Sequence, residues 1–271
     1  MSDPLERIAA ALERLSPPQP GAADWLSAPA YVWDAAPRAV EAIAAPALAL
    51  LQGIDPQKAL VTENVARLAA GHAAHDMLLW GARGMGKSAL LRAAVRAAQE
   101  ADPVKIALVQ VAPEALNGLS GLFTGLGKVD RRFLVFIDDL GFEDGDSAGP
   151  RALRSWLEGG VEARPANVRL AVTSNRRAIV PRHLSEQDDP INPRDAVDDK
   201  LALADRFGLS IGFHACSQDE YLAIVAGYAA ALGLAFDESA ALEWAKRRGA
   251  RSGRVAWQFV TELAGRAGRA L

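Results

Sequence analysis

Residues 81–88 read Gly81-Ala82-Arg83-Gly84-Met85-Gly86-Lys87-Ser88, and this stretch decides the fold. The spacing G-x-x-x-x-G-K-S is that of a loop that grips phosphate. Gly81, Gly84 and Gly86 let the backbone turn its N–H groups inward, where a Cβ would obstruct the turn or the ligand. Those donors, with the positive end of the helix that follows, suit a β-phosphate. Lys87 would neutralise the β- and γ-phosphates, and the Ser88 hydroxyl would ligate Mg²⁺. The flanks agree. Met77-Leu78-Leu79-Trp80 reads as a buried strand leading in, and Ser88 to Gln99 has the Ala/Leu/Arg make-up of a helix leading out. A Gly-rich turn with an incidental lysine would not require all four specified positions with both flanks correct. The expected ligand is a nucleoside triphosphate, held by Gly81, Ala82, Arg83, Gly84, Met85, Gly86, Lys87, Ser88 and Ala89.

Outward from this loop, strands and helices alternate. Lys105–Val111, Phe133–Asp138, Val168–Thr173 and Leu209–Phe213 are further strands, apolar on both faces as in a parallel sheet with right-handed crossovers. Upstream, Leu5–Leu15 is amphipathic, residues 16–21 are a Pro-rich break, and helical pattern resumes over Ala39–Leu51 and Pro56–Ala70. Trp25, Tyr31 and Trp33 are expected to dock an arm onto its own domain. After Phe213 the pattern is all helix, opened by the capping box Ser217-Gln218-Asp219-Glu220 and later by Ser252. The expected fold class is α/β: a P-loop NTPase parallel sheet of about five strands flanked by helices, then a small α-helical lid, with an N-terminal helical extension. The expected division is 1–48 extension and linker, 49–214 nucleotide-binding core, 215–271 lid.

Composition excludes more than it assigns. The chain has 271 residues, 50% hydrophobic and 23% charged, with a net charge of −3. That charge gives no global attraction to nucleic acid or anionic membrane. A single cysteine, Cys216, allows no internal disulfide and fits a reducing compartment. No apolar run reaches the roughly 20 residues a membrane span needs, and the acidic, amphipathic start is unlike a signal peptide. A cytoplasmic location is expected.

The apolar strand Phe133–Ile137 ends in Asp138-Asp139. A carboxylate there stands beside the loop, where Asp138 can hold Mg²⁺ with Ser88. Asp139 is placed to orient and deprotonate an attacking water. Many hydrolytic P-loop proteins have Glu at this point; Asp is shorter by roughly 1.5 Å, and a displacement of that size can cost ~100-fold in rate. Slow hydrolysis is expected. Asn175, ending the fourth strand, can accept from that water and donate toward the γ-phosphate. Arg206 lies just before the last strand, where a guanidinium could reach a neighbouring subunit's γ-phosphate. Arg254 falls in the first turn of the helix capped by Ser252, where the dipole opposes a cation unless an anion faces it.

These pieces in this order, with Gly53-Ile54-Asp55-Pro56-Gln57-Lys58 upstream, resemble the AAA+ ATPase superfamily. The resemblance makes Gly81–Ser88 the Walker A motif and Ile137–Asp139 Walker B. It makes Asn175 sensor 1, Arg206 the arginine finger and Arg254 sensor 2. More narrowly, LLWGARGMGKS, FIDDLGFEDGD, LEGG, TSNRR and LADRFG resemble an uncharacterised bacterial AAA+ family known only as a domain of unknown function, from about Tyr31 to the C-terminus. The Asp-Asp pair is similar to the replication-initiator and helicase-loader branch. The resemblance implies ATP and Mg²⁺ as cofactors, bound between core and lid, with Ile54 near the adenine, and a homo-oligomer assembled through arginine fingers.

Three functions compete. The first is an AAA+ ATPase hydrolysing ATP in an oligomer to remodel or load a protein or nucleic acid. The second is a nucleotide-gated binding switch with negligible turnover. The third, a small-molecule P-loop kinase, would leave Asn175, Arg206 and Arg254 jointly unexplained. Lys246, Arg247, Arg248, Arg251 and Arg254 form a basic cluster flanked by Trp244 and Trp257, without the interleaved aromatics of a stacking platform. The polar segment 181–200, with His183, has no ligand spacing that demands a metal.

Overall fold

The computed structural model describes residues 24–34, 36–141, 153, 156–157, 164–175 and 204–270. The expected helix over Leu5–Leu15, the break at 16–21 and the segment 181–200 lie outside the described residues.

Seven strands form one sheet: β1 (Ala30–Asp34), β2 (Ala36–Val40), β3 (Met77–Gly81), β4 (Ile106–Val111), β5 (Arg132–Ile137), β6 (Val168–Ser174) and β7 (Leu209–Phe213). The order is β2-β1-β4-β5-β6-β3-β7, parallel throughout except for the β1–β2 pair. β6 separates β3 from β5, so the ends of β5 and β6 both lie beside the loop that follows β3. Central strands carry Leu, Val, Ile and Phe on both faces because helices cover both faces. α1 (Asp55–Ala69) and α2 (Lys87–Ala101) bury Val61, Val65, Leu90, Leu91 and Val95 against one side. α3 (Leu119–Leu126) buries Leu122 and Phe123 on the other.

Three helices follow β7: α4 (Gln218–Ala231), α5 (Glu238–Arg248) and α6 (Gly253–Arg266). Their starts are chemically set. Ser217 and Glu220 form the expected reciprocal capping box. Asp237 caps α5, Gly249 ends it at φ 68°, and Ser252 accepts from Val255 N–H to cap α6.

The stretch 30–51 corrects the expectation. Instead of a helical pattern over Ala39–Leu51, residues 30–40 add two strands to a sheet expected to have about five, and only Leu48–Leu50 makes a short 3₁₀ turn. Alanine richness suggested a helix there, but Pro37 and Pro46 interrupt one. The open edge of β4 recruits Ala-Tyr-Val-Trp, whose β-branched and aromatic side chains suit a pleated surface. Pro37 is tolerated because β2 is an edge strand. The aromatic arm docks as expected: Tyr31 is buried, Trp25 lies 4.8 Å from its ring and 6.0 Å from Phe133, and the Tyr31 hydroxyl donates to Asp24 O at 2.8 Å. Buried Arg131 fastens this arm, donating to the carbonyls of Trp25, Ala28, Pro103 and Ile106.

Candidate nucleotide site

The loop after β3 is forced into shape by its neighbours. Gly81 has φ 120°, and a Cβ there would sit 2.0 Å from Phe213 O, the same carbonyl that accepts from Ala82 N–H at 2.7 Å. Only glycine permits β3 and β7 to approach so closely. Gly86, at φ 89°, then turns the chain into α2.

Lys87 is 7% exposed, and its three ammonium protons are directed at the carbonyls of Gly81 (2.7 Å) and Ala82 (2.9 Å) and at Asn175 Oδ1 (3.4 Å). Burial lowers its pKa, opposed by Asp139 and Asp138 and reinforced by Arg83 and Arg254. Ser88 Oγ donates to Asp138 Oδ1 at 2.5 Å, and Thr173 Oγ1 donates to the same oxygen at 2.7 Å. Thr173 Oγ1 in turn accepts from Asp139 N–H at 2.8 Å. Asp139 is the one non-glycine residue with positive φ among the described residues, at 51°. Asn175 Nδ2 donates to its carboxylate. One residue at the end of β6 and one just beyond it therefore orient both carboxylates that follow β5.

These groups open into a cavity of about 920 Å³ between the sheet's loops and helices α4 and α6. Arg83, Gly84, Met85, Gly86, Lys87, Ser88, Ala89, Asp138, Asp139, Asn175, Arg254 and Ile54 all line it, as expected from sequence. Gly81 and Ala82 do not; they stand behind Lys87 and hold its ammonium. Arg206 is half-buried and also off the cavity. It precedes Leu209, which pairs with Met77 at the start of β3, so it lies at the opposite end of the sheet from the loop. α6 is tied to the loop directly, Arg254 N–H donating to Gly84 O at 3.0 Å.

Sequence reasoning missed Thr173, Arg92, Tyr228 and Trp257. Thr173 was visible as a polar β-branched residue directly after the apolar run Leu170–Val172. Arg92 lies four residues after Ser88, hence on the same helix face, and lines the cavity. The two aromatics come from helices separated from the loop by more than 130 residues, and no local pattern marks them. With Arg92, the cavity gathers four cations against two carboxylates, an excess of two positive charges. The donor set beside it, a hydroxyl and a carboxylate, is hard oxygen of the kind Mg²⁺ takes. Ser88 and Asp138 would hold such an ion, which would supply charge neutralisation at the phosphates. Elsewhere, Arg248 and Arg247 of the basic cluster lie 4.9 and 5.8 Å from the Trp244 ring.

A family model for proteins of unknown function, DUF815, matches residues 26–267. The chain belongs to the DUF815 family. A comparison with curated proteins finds no match. Solved structures resemble this DUF815 protein in fold. The Thermotoga maritima RuvB Holliday junction branch migration motor is 17% identical with a TM-score of 0.50, covering 80% of this chain and 63% of that one. Aeropyrum pernix ORC1, in complex with DNA, is 16% identical with a TM-score of 0.53, covering 83% and 66%. Aeropyrum pernix ORC2, in ADPNP and ADP complexes, is 15% identical with a TM-score of 0.50, covering 80% and 64%. The chain thus spans less than two thirds of the RuvB structure's length. It shares with these structures a P-loop NTPase fold, a mostly parallel sheet flanked by helices. No helix among the described residues is long and apolar enough to cross a membrane.

Proposed function

We propose that this DUF815 protein is a cytoplasmic ATPase that binds Mg-ATP between core and lid and hydrolyses it in a homo-oligomer to remodel or load a macromolecule. The observation that carries the reading is the Ser88–Asp138–Thr173 network beside a glycine loop whose lysine is buried and held in place. The excess of two positive charges in the cavity matches in sign and size the roughly two negative charges of a magnesium-bound triphosphate. The ADPNP and ADP complexes of the ORC2 relative support the same ligand class.

In this reading Asp139 receives the proton of the attacking water and Asn175 positions that water; the Asn175–Asp139 hydrogen bond supports their working as a pair. Arg254 faces the triphosphate from the lid. Arg206 serves the neighbouring subunit's site, because its place at the far end of β7 keeps it from its own. The nucleotide-binding core then takes in residues 30–214, since β1 and β2 complete its sheet, and 215–271 form the lid.

Turnover of ATP measured against protein concentration, with mass determined in parallel, tests this. A rate per subunit that rises with assembly, is lost in Lys87→Ala and Asp138→Ala, and falls ~10³-fold or more in Arg206→Ala is the expected result. Tight ATP binding with flat, near-zero turnover at every concentration would sink the motor and leave the nucleotide-gated switch.

A further inference from the structure

The cavity has two chemically different halves. One carries Lys87, the two carboxylates and the arginines. The other is apolar, walled by Pro46, Leu51, Ile54, Ile224, Tyr228 and Trp257. The halves meet at the loop: a Cβ on Gly86 would lie 3.6 Å from Ile54 Cδ1 and 3.8 Å from Leu51 Cδ2.

Trp257 is out of keeping with that wall. It is 39% exposed, while Ile54 and Leu51 are 4% and Ile224 is 2% exposed. Leu26, Leu60 and Val104 are the other large apolar residues left exposed among the described residues, and none of them lines this cavity. Its ring meets Tyr228 in a T-shaped contact, with centroids 5.2 Å apart and planes at 77°, which orients the indole but leaves a face that Tyr228 does not cover. Trp257 also stands three residues after Arg254, on the same face of α6 and one turn further from the loop. Arg254 is itself fixed to Gly84 O. A planar, partly open aromatic is therefore held at a set distance from the phosphate grip, beside an apolar wall.

We infer that Trp257 is the platform on which the nucleobase of the bound nucleotide stacks, with Ile54 and Leu51 opposite. This rests on the reading that the site takes a nucleoside triphosphate, and adds a contact to the base itself. Stacking of this kind reads the π-face of a base and not its hydrogen-bonding edge. The lid thereby touches the ligand twice, through charge at Arg254 and through the ring at Trp257.

Binding of ATP and of inorganic tripolyphosphate, which lacks the base, to the full chain with magnesium tests the inference by calorimetry. Trp257→Ala is expected to weaken ATP about tenfold to a hundredfold and to change tripolyphosphate by less than about threefold. Trp257→Phe, which keeps a smaller ring, should recover most of the ATP affinity. Indole emission should fall on adding ATP but not tripolyphosphate, and that change should vanish in Trp257→Phe. Equal weakening of both ligands, or of neither, would overturn the inference while ATP binding by the wild type kept the underlying reading intact. A wild type that takes up neither ligand would overturn both. Because Trp257 is partly exposed, the substitutions leave the core untouched, and an unchanged circular dichroism spectrum verifies it.

Discussion

Thr173 connects both carboxylates that follow β5 to the rest of the site. Its hydroxyl donates to Asp138 and accepts from Asp139 N–H, so it fixes the Asp138 carboxylate and the strained backbone of its neighbour together. A non-glycine residue at φ 51° costs on the order of 1 kcal/mol unless its surroundings hold it, and aspartate is among the residues that tolerate it best. Thr173→Val keeps the shape but takes the acceptor from the part-buried Asp139 N–H and a donor from Asp138. It should lower stability by about 1–3 kcal/mol in urea unfolding and raise the Mg²⁺ concentration needed for turnover, whereas Thr173→Ser should stay close to wild type. Lys87 offers a proton-linked signature at the same scale. Its folded-state pKa lies below the ordinary 10.5 because of burial, so between the two values the folded protein holds fewer protons than the unfolded one. Stability gains as pH rises through that window. A bound triphosphate favours the ammonium again, so ATP binding there should take up protons, seen as a dependence of calorimetric heat on buffer ionisation enthalpy. Lys87→Arg, which stays charged, should show no such dependence.

Among the elements, the joint between the loop after β3 and α6 leaves little room for a side chain. Gly84 has φ 77°, and a Cβ on it would lie 2.7 Å from Ser252 Oγ and 3.2 Å from Arg254 Cβ. Gly84→Ala should therefore fold with near-wild-type circular dichroism yet lose ATP affinity at least tenfold, as the loop and the cap of α6 are pushed apart; unchanged affinity would refute the joint's importance. Elements of this kind explain what could be read from sequence. β3 to β7 announced themselves as short apolar runs, and the caps at Ser217 and Ser252 are local chemistry, legible within four residues. β1 and β2 were not, because β4, the strand on which β1 pairs, lies more than 60 residues away, and alanine-rich sequence fits a helix until an open sheet edge competes for it. The loop-side site was legible for the same local reason, as Lys87, Ser88 and Asp138 follow motif spacing. Its far wall was not, since Tyr228 and Trp257 reach the cavity only through the packing of α4 and α6 against the core.

For the molecule as a whole, a ligand that fills the cavity between the sheet's loops and helices α4 and α6 must stabilise both. At a concentration 100 times its Kd, ATP should add about 2.7 kcal/mol, which for a chain of this size corresponds to a rise in Tm of roughly 5–10 °C. Thermal scans with and without Mg-ATP check this, and Lys87→Ala should abolish the rise. The arm fastened by Arg131 belongs to the same cooperative body, since its aromatic residues share a core with Phe133. The single bond from Arg254 N–H to Gly84 O has a mechanical consequence. α6 has 14 residues, about 21 Å of rigid rod, pivoted on the loop that would touch phosphate. A tilt of only ~10° at that pivot would swing the helix's far end by about 4 Å, enough to make or break a contact with an adjoining protein.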